Sequence, residues 1–300
     1  MSTTFTRKKI ENYSYGLGDG IGKGYSSQVY KGRNDDSAEL VAVKVIDLKM
    51  LKNEINRVLL ESEIKVLKEL RNLPHILTLH DVFTTKNNTY IITELCHSDL
   101  SKHVKKGLPE EQAIEYMTQI LTGYLNFARK DIIHRDLKPA NILMTAEQSL
   151  KIADFGFAIK AVDAHKSSKY NIGSPLYMAP ESLRRNEYTL KTDIWALGVI
   201  FYELLTGETP WKAKNEKELV KKIEASKIED LLGKLNLGNS SQEFLKKCLK
   251  VDKHSRWDLE NLENFSFAST KQTLPKILGE KQMNGETRSG FSRPSVTPKR

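Results

Sequence analysis

The sequence predicts an α+β chain in which strand-forming segments gather in the first third and helical periodicities dominate the rest. The β-branched runs Val29-Tyr30-Lys31 and Leu40-Val41-Ala42-Val43-Lys44-Val45-Ile46 are separated by the turn cluster Asn34-Asp35-Asp36-Ser37. Apolar residues then recur at helical spacing across 51–70 and 110–129, and an unusually apolar helix begins at Asp193. The 300 residues, 39% hydrophobic and 28% charged, suffice for about two cores.

The formal charge of +9 is concentrated at the ends. Arg7, Lys8 and Lys9 against Glu11 give residues 1–12 a net +2; seven Lys or Arg against Glu280 and Glu286 give 269–300 a net +5; only +2 remains for 13–268. That placement reads as solvated tails, so no nucleic-acid partner is expected. Residues 1–12 form a polar leader, 13–268 the folded region, and 269–300 a basic tail that cannot bury a core and is expected to be disordered unless bound. Cys96 and Cys248 are too few for a disulfide framework and favour a reducing compartment. The first residues lack the apolar core of a secretory signal. The longest apolar candidate, 194–205, contains Glu203 and falls short of the ~18 residues of a membrane span. A cytosolic or nuclear location is expected, and cytoplasmic is the reading adopted.

In chain order, five glycines lie within 13–29 and read as a loop before the first strands. Lys44, mid-strand among apolar neighbours, needs an anionic partner. In the helix over 51–70, Leu60, Ile64 and Leu67 share one face, and Glu63 lies on that inward side, with Glu61 less favourably phased. Segments 77–82 and 90–95 pair around the turn Lys86-Asn87-Asn88. The helix over 110–129 is phased by Ala113, Met117, Ile120, Leu121, Tyr124 and Ala128, with Pro109 near its start. It leads to His134-Arg135-Asp136-Leu137-Lys138-Pro139-Ala140-Asn141, then the short strands Ile142-Leu143 and Leu150-Lys151-Ile152, then Asp154-Phe155-Gly156. Two carboxylates, an amide and a lysine on short turns suit a phosphate held with a hard cation such as Mg²⁺.

These strings resemble the protein kinase signature, His-Arg-Asp with a downstream Asn and then Asp-Phe-Gly. Gly22-Lys23-Gly24-Tyr25-Ser26-Ser27-Gln28-Val29 is similar to the phosphate-covering loop, with Ser27 in place of its third glycine, and Val41-Ala42-Val43-Lys44 to the third strand. The resemblance implies a two-lobed protein kinase fold: a small antiparallel β lobe with one helix over about 13–95, and a larger, mainly helical lobe over about 97–268. It implies ATP and Mg²⁺. Asp136 would accept the substrate proton, Lys138 would neutralise the γ-phosphate, and Asn141 and Asp154 would hold the metal. Lys44, paired with Glu63, would hold the α and β phosphates. Ile21, Gly22, Lys23, Gly24, Val29, Ala42, Glu94, Cys96 and Leu143 would contact the nucleotide. Thr93 would be the gatekeeper before the hinge Glu94-Leu95-Cys96, and Asp99 would take the ribose or a basic substrate residue. Arg256 would pair with Glu181 at the end of Gly173-Ser174-Pro175-Leu176-Tyr177-Met178-Ala179-Pro180-Glu181.

Asp-Leu-Lys-Pro, with Ser174 bonding the catalytic loop, resembles kinases that act on Ser or Thr, so protein substrates with those hydroxyls are implied. Arg135 beside Asp136 implies ordering by a phosphate on the activation segment, with Ser167, Ser168 and Tyr170 as candidates. Asp-Phe-Gly-Phe-Ala at 154–158, taken with 173–181, is similar to the autophagy-initiating, Unc-51-like (Atg1-like) group. The alternatives are a calcium/calmodulin-dependent type and a catalytically weak kinase-like scaffold. Regulatory proteins could engage the basic tail.

Overall fold

Side-chain alternation along the first strands decides what each face of their sheet meets. The computed structural model describes residues 7–24, 26–167 and 172–267; Tyr25, Ser168, Tyr170 and the basic tail lie outside the described residues. Strands β1 (Arg7–Ile10), β2 (Tyr13–Lys23), β3 (Ser27–Asn34), β4 (Leu40–Asp47), β5 (Leu79–Thr84) and β6 (Asn88–Glu94) form an antiparallel sheet in the order β1-β2-β3-β4-β6-β5. Along β4, Val41 and Val43 join Tyr13, Tyr15, Tyr30 and Ile92 in a core of their own. Ala42, Lys44 and Ile46 alternate with them and line a cleft on the other face.

Two expectations change here. The polar leader is not wholly outside the fold: Arg7–Ile10 adds an edge strand to Tyr13–Gly16, with Ile10 packed against the tyrosine core. Its three exposed cations are the kind of charge that blunts an edge. The glycine-rich stretch is mostly strand and not loop. Its pairing with β3 shifts register between Tyr15 and Gly20 and again between Gly20 and Gly22, irregularities that glycine accommodates. The turn itself is short, closed by Gly24 N–H donating to Ser27 O at 2.8 Å.

Helix α1 (Glu54–Glu69) turns Glu63, Val66 and Leu67 inward. Burying side chains such as the last two is worth about 1.5–3 kcal/mol each. Beyond β7 (Ser98–Asp99), α2 (Glu110–Ala128) is almost wholly buried over its last nine residues. The chain then forms β8 (Ile132–Ile133), the hairpin β9 (Ile142–Met144) and β10 (Leu150–Ile152), and β11 (Ile159–Lys160), which pairs with β8. Helices α3 (Pro180–Arg185), α4 (Leu190–Thr206), α5 (Glu216–Ala225), α6 (Ile228–Leu232), α7 (Asn239–Cys248) and α8 (Leu259–Glu263) complete the large lobe.

The axis of that lobe is α4, in which Ile194, Trp195, Leu197, Val199, Ile200 and Phe201 are fully buried. Gly198 sits mid-helix because α7 comes close: a Cβ there would lie 2.9 Å from Cys248 Cβ. Arg256 fixes the lobe's lower edge. Its Nη1 and Nη2 donate to Glu181 Oε1 and Oε2 at 2.6 and 3.0 Å, its Nε donates to Lys250 O at 3.0 Å, and its guanidinium covers the Trp195 ring at 5.0 Å. No helix among the described residues is long and apolar enough to cross a membrane.

The Arg256 and Glu181 side chains are 0% and 10% exposed, so breaking the pair leaves a buried charge. Arg256→Met is expected to cost about 3–5 kcal/mol in urea unfolding, and adding Glu181→Met to recover much of it, because the orphaned carboxylate is then gone.

Candidate active site

The catalytic loop is held from below. Asp193, in the first turn of α4, accepts the His134 N–H on Oδ2 at 2.7 Å and the Arg135 N–H on Oδ1 at 3.0 Å. Burial pushes its carboxyl up to about 7, against the pull of those two amides and of Arg135. Arg135 takes a positive φ of 69°, a conformation that an L residue keeps only where its surroundings over-determine it. His134 is fully buried against Phe155, ring centroids 4.9 Å apart. Its Nδ1 accepts the Asp136 N–H at 3.3 Å while Nε2 lies 3.1 Å from Ala153 O, an arrangement that fits one neutral tautomer. Burial lowers the imidazole pKa and keeps it neutral.

Asp136 is thereby aimed and half satisfied. Its Oδ2 accepts from Lys138 Nζ at 2.7 Å and from Asn141 Nδ2 at 3.0 Å. Its Oδ1 is buried and has no hydrogen-bond partner among the described residues. Lys138 Nζ also donates to Ser174 Oγ at 2.8 Å, the contact expected between that serine and the catalytic loop. Asn141 makes both its side-chain bonds through Nδ2, the second to Asp136 O at 2.9 Å, which leaves its amide oxygen free among the described residues.

Above this floor, Ile21, Gly22, Lys23, Gly24, Val29, Ala42, Lys44, Glu94, Cys96 and Leu143 all line one cleft of about 930 Å³, together with Ser27, Glu63, Asn141 and Asp154. Lys44 Nζ donates to Glu63 Oε1 at 2.6 Å, while Glu61 is exposed. Burial pushes the Lys44 ammonium down, but the Glu63 and Asp154 carboxylates outweigh it and the net shift is upward, so Lys44 is charged. Asp154 has a φ of 61°, is exposed to the cleft, and makes no hydrogen bond or ion pair with another described residue. Its carboxylate and the Asn141 amide oxygen are hard donors that fit Mg²⁺, which is commonly bound by one or two protein oxygens plus phosphate.

The hinge residue Glu94 turns its carboxylate away from this chemistry, accepting Thr78 N–H at 2.7 Å and facing Lys151 Nζ at 3.1 Å. The Cys96 thiol is pushed up to about 12 by burial and by Glu94, so it is no nucleophile at neutral pH. Thr93 is small and buried, and the cleft continues past it to Leu67 and Ile91. Sequence reasoning did not foresee the anchoring role of Asp193, the Tyr188 ring 5.3 Å beneath Arg135, or the hydrogen bond from Tyr177 to Glu203 at 2.6 Å. Each joins residues far apart in the chain, with no local pattern to announce it.

Residues 15–268 match the model of the protein kinase domain family. The chain is 37% identical over 270 residues to the serine/threonine-protein kinase atg1 of Dictyostelium discoideum, covering 86% of this chain and 39% of the relative. It is 33% identical to the serine/threonine-protein kinase ULK3 of Mus musculus, covering 92% of this chain and 61% of the relative. It is 32% identical to the serine/threonine-protein kinase ATG1b of Arabidopsis thaliana, covering 93% and 40%. The chain thus spans less than two thirds of the length of each of these relatives. With that match and the arrangement of Lys44, Glu63, Asp136, Asn141 and Asp154 in view, the chain belongs to the protein kinase family.

Proposed function

We propose that this chain is a serine/threonine protein kinase, transferring the γ-phosphate of ATP to hydroxyls of protein substrates in cytoplasmic, autophagy-type signalling. The observation that carries the catalytic reading is Asp136 Oδ1, a buried acceptor without a partner among the described residues, beside a carboxylate oxygen that has two. A buried acceptor is normally satisfied, and a substrate O–H would satisfy this one. The similarity to Atg1 and ULK3 kinases supports the pathway and favours it over a calcium/calmodulin-dependent type.

Phosphoryl transfer asks the protein mainly for positioning and charge compensation. Asp136 orients the acceptor hydroxyl and takes its proton on Oδ1. Lys138, held between Asp136 and Ser174, sets positive charge beside the same carboxylate. Lys44, held by Glu63, offers its ammonium to the nucleotide's phosphates. Asn141 and Asp154 would hold Mg²⁺, which when bound neutralises phosphate charge. The Lys-Pro after Asp136 supports Ser or Thr as the acceptor.

Arg135 supports regulation through the activation segment. Its Nε donates to Phe157 O at 2.6 Å, and its Nη1 is buried without a partner among the described residues. A phosphate on Ser167, Ser168 or Tyr170 would be an acceptor for that donor. The basic tail is left for regulatory proteins.

Purified chain with Mg·ATP is expected to phosphorylate itself or a generic Ser/Thr substrate. Asp136→Asn lowers the rate by about 10²–10⁴, the usual worth of a general base; equal residual rates in both proteins would favour a kinase-like scaffold. Lys44→Met costs about 10²–10³ in turnover, by analogy with losing one preorganised positive group, and full activity there would remove Lys44 from the phosphate site.

A further inference from the structure

Asp99 stands at the mouth of the cleft, and its surroundings set it apart from the other carboxylates there. β7 pairs Asp99 with Leu143 of β9, and the turn Leu100–Lys102 packs on the turn Pro139–Asn141. Asp99 is therefore held beside the catalytic loop. Both its oxygens are engaged from within its own turn: the Ser101 hydroxyl donates to Oδ1, and Lys102 Nζ lies 3.0 Å from Oδ2. The Asp99 side chain is 19% exposed and that of Lys102 67%, so the ammonium caps the carboxylate from the solvent side.

Other carboxylates near the acceptor site are also engaged. Glu63 holds Lys44, Glu94 holds Lys151, and Glu203 accepts the Tyr177 hydroxyl. Asp136 keeps Oδ1 without a partner among the described residues and Asp154 lines the cleft, and both have roles in the transfer itself. A substrate arginine or lysine that approaches Asp99 meets a carboxylate already paired with Lys102.

We propose that Lys102 is a specificity-determining residue: it occupies, from within the chain, the carboxylate that a basic substrate side chain would need, and so steers the enzyme toward acceptors with neutral or acidic neighbours. The inference rests on the kinase reading above and deepens it. Lys102 meets Asp99 at an effective concentration that no substrate side chain matches, and its charge repels an incoming guanidinium. Specificity is a difference of affinities, and filling a site against one competitor is a way to create it. Burial pushes the Asp99 carboxyl up, but the Ser101 and Lys102 contacts outweigh it and hold it below the ordinary value. Asp99 is thus an anion at neutral pH, and it becomes available once Lys102 is removed.

The test measures kcat/KM at saturating Mg·ATP for serine peptides in which Arg, Leu or Glu is walked through the flanking positions. Each Arg value is divided by the Leu value for the same position, which cancels changes in nucleotide binding or in the amount of folded enzyme. Wild type is expected to give ratios at or below one. Lys102→Met is expected to raise the ratio about three- to tenfold at one flank, the scale of a partly exposed ion pair. Adding Asp99→Asn is expected to return it to the wild-type value. Unchanged ratios in Lys102→Met, a gain that persists in the double variant, or an arginine preference in wild type each overturns the inference while leaving the kinase reading intact. Wild-type protein that phosphorylates no peptide and not itself overturns the kinase reading, and this inference with it.

Discussion

The site depends on one buried carboxylate. Asp193 sits at the head of the largely buried helix α4, where the free N–H groups and dipole of a helix N-terminus favour negative charge. Both its oxygens are spent on consecutive backbone amides of the catalytic loop. A pair of such bonds fixes the position and the tilt of the loop together, which lets Arg135 keep a left-handed conformation and sets Asp136 against Asn141, a residue that lines the cleft. The precision of the catalytic floor therefore derives from the hydrophobic packing of α4, several side chains away from any reacting atom.

A second chain of contacts couples the small lobe to that floor. Glu63 reaches Lys44 on β4 from α1, Ser62 on the same helix donates to Ala158 O at 3.2 Å, and Phe155 packs against His134 with the two rings tilted. Phe155 also meets Phe127 of α2 edge-on at 5.7 Å. α1 is thus bonded to the sheet on one side and to the segment after Asp-Phe-Gly on the other. Moving it outward would break an ion pair and a hydrogen bond and disturb the packing around Phe155. These interactions favour a single arrangement in which Lys44 and Asp154 face the same cleft and Asp136 is bonded to Asn141 at its floor.

Much of this was legible in the sequence because it rests on local pattern. The helical phasing of Leu60, Ile64 and Leu67 chose Glu63 over Glu61, and Glu63 is the residue that reaches Lys44. The string 134–141 placed Asp136, Lys138 and Asn141 within one turn, where the structure bonds them to one another. What escaped notice were contacts between distant residues and strand geometry masked by composition. Glycines at 16, 18, 20 and 22 suggested a loop, yet cross-strand pairing and bulges absorb them into β2. Asp99 was expected to take the ribose or a basic substrate residue, but nothing in the local sequence announced that Ser101 and Lys102 would take both its oxygens.

Unsatisfied polar atoms identify chemistry only when their position agrees. Among the described residues, Trp195 Nε1 and Ser241 Oγ are as buried and as unpartnered as Asp136 Oδ1. The first lies in the core of α4, stacked on Trp211 at 5.3 Å, and the second on the buried face of α7; neither lines the nucleotide cleft. Asp136 Oδ1 differs because its partner oxygen is locked by Lys138 and Asn141, and because Asn141 itself faces the cleft. The carboxylate cannot rotate to relieve the vacancy without breaking two bonds. A group held unsatisfied by its neighbours, and bonded to a side chain that lines a space large enough for a nucleotide, is maintained for a ligand. Paired carboxylates around it, Glu63, Glu94 and Asp99, show the opposite design, with each charge already answered from within the chain. The division between answered and unanswered charges separates the residues that shape the cleft from those left to act on what enters it.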